Sequence, residues 1–192
     1  MALARRSGPS VDTLVTAHGI LMTLVFVVGY PIGAIISRIF NRWFIHASWQ
    51  MLVYCGMWAG FGVGIVVSRR FELFFTTPHT RLGVFVVPLM GIQPILGFLH
   101  HMYYVKNRRR GILGYIHIWY GRSLIIIGVV NGGLGLKYAR DLGLVRRSES
   151  RRFIAGYIVL AAIVAAAYLG TIALGYARTR RRDSRANVSR EL

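Results

Sequence analysis

Five long apolar runs, separated by short polar and mostly basic stretches, divide the chain: Leu14 to Ile36, Trp43 to Val67, Leu82 to about Val105, Ile112 to Leu136, and Phe153 to Tyr176. The second run is 25 residues long and contains no Lys, Arg, Asp or Glu. At 1.5 Å rise per residue, a helix of that length crosses a hydrocarbon core of ~30 Å. Arg42 precedes it, Arg69 and Arg70 follow it, and Trp43 and Phe44 stand where aromatic residues settle at a membrane interface. The pattern predicts an all-α integral membrane protein with five transmembrane helices. The link Ser37 to Arg42 is so short that the helices beside it must be antiparallel neighbours, and the first four form an antiparallel four-helix bundle. The boundaries expected are a short N-terminal tail (1–13), a four-helix core (14–140), a loop and fifth helix (141–177), and a basic, disordered tail (178–192).

Local signals refine this. Pro31 should kink the first helix, Pro78 should open the third, and Pro88 and Pro94 should interrupt it. Gln93 is a lone polar side chain placed to bond the carbonyls that those prolines free. Gly56, Gly60 and Gly64 give small-xxx-small spacing, which serves close helix packing or the approach of a flat cofactor. The aromatics of the second loop, Phe71, Phe74 and Phe75, suit an interface. The loop Lys137 to Arg152 is long enough for a short amphipathic surface helix, and Asn187-Val188-Ser189 matches a glycosylation acceptor.

Composition changes the picture in one respect. The net charge is +18 with 55% hydrophobic residues. In a soluble protein such charge would indicate nucleic-acid binding. Here the basic residues fall in the gaps between runs and in the tail, beside lipid headgroups, so membrane lipids are the expected partner and no nucleic acid is. Cys55 is the single cysteine and allows no intrachain disulfide. The first residues show no cleavable signal pattern, so the first span is expected to act as its own insertion signal.

The chemistry lies in the six histidines. Helices one, three and five start on one face, A; helices two and four start on the other, B. His18 and His79 sit near the starts of helices one and three, level on face A. His46 and His117 sit near the starts of helices two and four, level on face B. Helices one and three are diagonal across a sequential bundle, as are two and four. That gives one His–His pair per membrane face, ~20–25 Å apart along the normal by helix rise. Two axial imidazoles across a dry apolar core suit bis-histidine haem. The residues four after each histidine, Met22, Gln50, Gly83 and Gly121, share its helix face. The glycines there leave room for a ring. Zinc is disfavoured, because the pairs are too far apart to combine and the spans hold no carboxylate. His100 and His101, near face B, compete as ligands or line the mouth of the pocket. Arg122 lies ~7 Å deeper than His117 and about 140° round the helix. It snorkels or pairs with a haem propionate.

Ala17-His18-Gly19 with Leu21-Met22, His46 with Gln50, His79 with Leu82-Gly83 and Gln93, and His117 with Gly121-Arg122 and Asn131-Gly132 resemble the cytochrome b561 domain, in the branch often joined to a DOMON domain. The resemblance covers roughly residues 14–140. It implies a di-haem four-helix bundle holding two haem b groups, with His18 paired to His79 and His46 to His117. It implies transmembrane electron transfer, and so an oxidoreductase of the ascorbate-dependent ferric or monodehydroascorbate reductase type. Electrons would pass from cytosolic ascorbate or a similar small reductant to an extracytoplasmic acceptor such as monodehydroascorbate or ferric iron. It also implies a substrate site at basic residues ahead of the second and fourth histidines, matched here by Arg38, Arg42 and Arg108. Two departures are expected: these 192 residues read without a DOMON domain, and with five spans where many members have six. A homodimer is left open.

The short, purely basic loops and tail on face B favour B as cytosolic, with the N-terminus outside. Two rival readings need no haem: a transport or proton-relay protein using the histidines, and a non-catalytic scaffold whose tail binds anionic lipid.

Overall fold

A computed structural model describes residues 10–40, 42–145 and 147–191, without the side chains of residues 147, 148, 183 and 187–191. Arg5, Arg6 and the side chains of the glycosylation match therefore lie outside the described residues. All regular structure described is helical. Five helices are long and apolar enough to cross a membrane: α1 (Val11–Phe40), α2 (Trp43–Arg70), α3 (Pro78–Asn107), α4 (Ile112–Asp141) and α5, whose span covers Glu149–Ala186. The chain is a multi-pass membrane protein.

The first four helices overrun their apolar runs by about a turn at one end or both, where polar residues satisfy groups that the helix leaves open. Ser10 caps α1 by accepting from the Thr13 backbone N–H at 3.2 Å, and Asp12 sits favourably in the first turn. Pro78 opens α3 as predicted, behind a reciprocal box in which Thr77 and Thr80 bond each other's backbone N–H.

The prolines act locally. In α1 the distortion lies before Pro31: Leu24–Gly29 is a π-helical segment, and the Tyr30 N–H reaches back to the carbonyl of Val25. Pro31 has no N–H for Val27 and crowds that carbonyl, so a wider turn accommodates it. In α3 the break falls at Gly91, between Pro88 and Pro94; a Cβ there would lie 2.8 Å from the Pro88 carbonyl oxygen. Gln93 does not serve that break. Its Nε2 donates across to the carbonyl of His117 in α4, at 3.2 Å.

Loop four differs from expectation. Among the described residues no separate surface helix forms. Instead α4 runs on to Asp141, which pairs with Lys137 (2.7 Å) and Arg140 (3.0 Å). A turn through Gly143, at φ +72°, leads into the next helix. That helix continues as Arg147–Glu191, helical where a disordered tail is predicted.

Each of the first four helices packs on its chain neighbour, and α4 closes back onto α1. Their shared core is a mid-membrane plug of Val25, Phe26, Tyr30, Val53, Met57, Val86, Val87, Met90 and Leu124. Phe26 lies directly on Gly128, where any Cβ would collide with its ring. The Tyr30 hydroxyl donates to the Met57 sulfur at 3.2 Å, and Met57 is fully buried. The fifth helix stays outside this core, against α1 and α4. Its most apolar stretch is 0% buried, so lipid is its expected surrounding. Tyr157 anchors it by donating to the Val129 carbonyl at 2.6 Å.

Candidate bis-histidine centres

The four histidines meet in two diagonal pairs. The His18 and His79 rings have centroids 6.0 Å apart at 78°, and those of His46 and His117 are 6.4 Å apart at 90°. Two metal–imidazole bonds of about 2 Å, with the ring radii added, require roughly 6 Å between centroids. Each pair is therefore spaced to hold one metal atom between them.

The ring nitrogens divide the work. His18 Nδ1 lies 2.8 Å from the Gly60 carbonyl, His46 Nδ1 is 2.8 Å from the Gly33 carbonyl, and His79 Nδ1 is 3.0 Å from the Asn131 carbonyl and 3.1 Å from its Oδ1. An Nδ1–H that donates to a carbonyl fixes the tautomer and leaves Nε2 as the ligating atom. His117 differs: its Nδ1 is buried with no partner among the described residues.

Helix repeat explains why the levels line up. Gly60 follows His46 by 14 residues, Asn131 follows His117 by 14, and Gly33 follows His18 by 15. Each such helix thus carries a histidine at one level and the carbonyl that steadies another histidine at the other, ~21 Å away. Glycines back the rings. A Cβ at Gly64 would stand 2.6 Å from His18 Cε1, at Gly135 2.9 Å from His79 Cε1, and at Gly97 3.2 Å from His117 Cε1. Of these, Gly64 belongs to the small-xxx-small series of the second span, whereas Gly97 and Gly135 were not singled out from spacing. A Cβ at Gly83 would meet Asn131 at 3.5 Å, and one at Gly121 would meet Gln93 at 2.9 Å.

The donor set is the test for haem. It fits: two imidazoles per level, Nδ1 tethered on three of four, and glycine cradles beside the rings.

The other expected site residues are not joined by any direct contact among the described residues. Arg42 caps the start of α2 and is exposed; Arg108 follows α3 in a left-handed conformation, φ 55°. Arg38 has its guanidinium carbon 5.4 Å from the centre of the Tyr168 ring. Arg122 turns to the fifth helix, and its Nε donates to the Tyr168 hydroxyl at 2.9 Å. His101 stacks on Trp43, centroids 4.2 Å apart, and His100 packs beside Gly114 with its Nδ1 buried and unpartnered.

Sequence reasoning missed the role of Asn131, and also Trp49 and Tyr120. Trp49 Nε1 donates to the Gly29 carbonyl and Tyr120 to the Leu89 carbonyl, both at 2.8 Å. The signal for Asn131 was present: a lone amide in an apolar run, 14 residues past a histidine.

Residues 5–103 match the family model described as a domain of unknown function, DUF2427; the matched stretch takes in His18, His46 and His79 and ends before His117. Three Arabidopsis thaliana proteins are similar. A cytochrome b561 domain-containing protein is 26% identical over 145 residues, covering 70% of this chain and 54% of that protein. Two cytochrome b561 and DOMON domain-containing proteins are 26% identical over 133 residues (67% and 33%) and 28% identical over 158 residues (77% and 37%). The chain thus spans between a third and about half the length of these curated relatives. No solved structure matches it. With the family model matching just over half its length, the chain belongs to the DUF2427 family, a relative of the cytochrome b561 domain.

Proposed function

We propose that this protein carries electrons across a membrane through two haem b groups, one held by His18 and His79 and one by His46 and His117. The observation that carries this reading is the pair of diagonal histidine couples at matched levels, with ring centroids 6.0 and 6.4 Å apart. Iron held between two imidazoles supplies one-electron redox chemistry. The chain's own residues do the rest. Carbonyls of Gly60, Gly33 and Asn131 hold three imidazoles in one orientation. The plug between the levels, centred on Met57, Val87 and Phe26, keeps water out of the space between them.

The names of the relatives support haem and electron transfer as the class. The donor proposed is ascorbate or a similar small reductant at face B, where Arg42 and Arg108 are exposed and cationic. The acceptor proposed at face A is monodehydroascorbate or ferric iron. Face B is proposed as cytosolic.

The test is a reduced-minus-oxidised visible spectrum of the purified protein, with haem quantified per chain. The expected result is close to two haems with a bis-imidazole b-type spectrum. Folded protein made with haem available but lacking haem would discard the reading and leave the histidines as a proton path.

A further inference from the structure

The fifth helix carries a feature that electron transfer does not use. Arg38, near the end of α1, and Arg122, about 15 Å into α4 by helix rise, converge on Tyr168 of α5. Side chains lean toward the N-terminus of their helix. For α4 that end is face B, so Arg122 leans outward; for α1 it is face A, so Arg38 leans inward. The two therefore meet at one ring, with guanidinium carbons 5.4 and 5.7 Å from its centre. Arg122 also lies 4.7 Å over Trp119.

Aromatic faces and one hydroxyl do not neutralise two guanidinium groups in a low-dielectric setting. Among the described residues, no acceptor meets the terminal nitrogens of Arg122 or any nitrogen of Arg38. Nor is a carboxylate near among the described residues. The four acids whose side chains are described, Asp12, Glu72, Asp141 and Glu149, all stand at the face-A ends of the helices. The described residues supply no countercharge. Arg122 faces α5 and not the histidine core, which turns the site away from a cofactor and toward lipid.

We propose that Arg38, Arg122 and Tyr168 bind the phosphate of one anionic phospholipid in the face-B leaflet. A planar guanidinium takes a phosphate by paired N–H bonds, and basic pockets between transmembrane helices hold acidic headgroups. The seam among α1, α4 and α5 is open on the lipid side, since Arg38 and Trp119 are exposed.

The test uses the full chain in phosphatidylcholine nanodiscs doped with phosphatidylglycerol. Retained lipids are counted by native mass spectrometry. The wild-type chain should hold one phosphatidylglycerol against about a tenfold excess of phosphatidylcholine. The double change Arg38→Gln with Arg122→Gln should lower that preference about thirtyfold, while Arg178→Gln with Arg180→Gln in the tail should leave it. Arg38 is exposed, so Arg38→Gln alone serves if the double variant does not fold, with about a fivefold loss expected. Four results would each overturn the proposal. They are no preference in the wild type, a preference that Arg38→Gln leaves unchanged, displacement of the lipid by soluble glycerol phosphate, and loss of haem in Arg122→Gln with lipid retention intact.

Discussion

The two histidine levels are built alike and finished differently. At face A both imidazoles are tethered, His18 to Gly60 and His79 to both oxygens of Asn131, and both rings press on glycine, Gly64 and Gly135. At face B only His46 is tethered, to Gly33; His117 has no Nδ1 partner among the described residues. His100 and Arg110 both pack at Gly114, one turn before it on the same helix, and no described carboxylate stands on that face. Face A is a level fixed by its own backbone. Face B is a looser level set in cationic surroundings. If electrons enter at B, the less constrained centre is the one that meets the donor.

The broadest way to break this comparison is to remove one ligand at a time. His46→Ala and His117→Ala should each remove half of the haem, and the same half; His18→Ala and His79→Ala should each remove the other. Haem content and the low-temperature spectrum of each variant decide it. If His18→Ala and His46→Ala emptied the same centre, the diagonal pairing would be wrong.

Next come the glycines. Gly64→Ala and Gly135→Ala place a methyl group 2.6 and 2.9 Å from the His18 and His79 rings. Overpacking of that kind costs about 1–3 kcal/mol, and here it should appear as selective loss of face-A haem. Gly62→Ala and Gly133→Ala, where a methyl group meets nothing within 4 Å, are the controls. Equal haem loss in all four would mean that the glycines act through the fold and not through the rings.

Much of this was legible in the sequence, because the membrane writes in long runs. Span number, the short antiparallel links and the placement of Pro78 follow from composition and from helix-start chemistry. The four histidines could be levelled by counting from helix starts, since rise per residue is constant. What the sequence hid was contact between helices. Gly64 stood out by its small-xxx-small spacing, but nothing local in Gly97 or Gly135 distinguishes them from Gly83 and Gly121; rotation of one helix against another decides which glycine faces a ring. Arg122 shows the same limit. Its angle of about 140° from His117 was readable, but that the fifth helix would supply Tyr168 to receive it was not. The fourth loop was misjudged because Lys137, Arg140 and Asp141 read as a polar break, whereas their i,i+4 and neighbouring ion pairs extend α4 by another turn.

A smaller effect is expected at the donor face. Arg42→Ala removes an exposed cation one residue before α2, without touching any imidazole. Reduction by ascorbate should slow severalfold, more so at low ionic strength, while haem content stays constant. An unchanged rate would remove Arg42 from the donor site and leave the asymmetry between faces to His117 and its neighbours.

The finest prediction concerns the reduction potentials themselves. An imidazole that donates its Nδ1–H to a carbonyl is a stronger donor through Nε2 and favours the oxidised, more positive iron. Face A has two such imidazoles and face B has one. Nearby cations at face B favour the reduced state in addition. Both effects have the same sign, so the face-B centre should titrate at the higher potential. One hydrogen bond is worth about 0.5–1.5 kcal/mol, which for one electron is a separation on the order of tens of millivolts. Spectroelectrochemical titration of His18→Ala, which keeps only the face-B centre, against His46→Ala, which keeps only face A, measures it directly. Asn131→Leu sharpens the result: the backbone carbonyl still holds His79, but the Oδ1 contact goes, so the face-A potential should rise toward that of face B. A face-A centre that already lies higher in the unmodified protein would mean that burial, not imidazole tethering, sets the order.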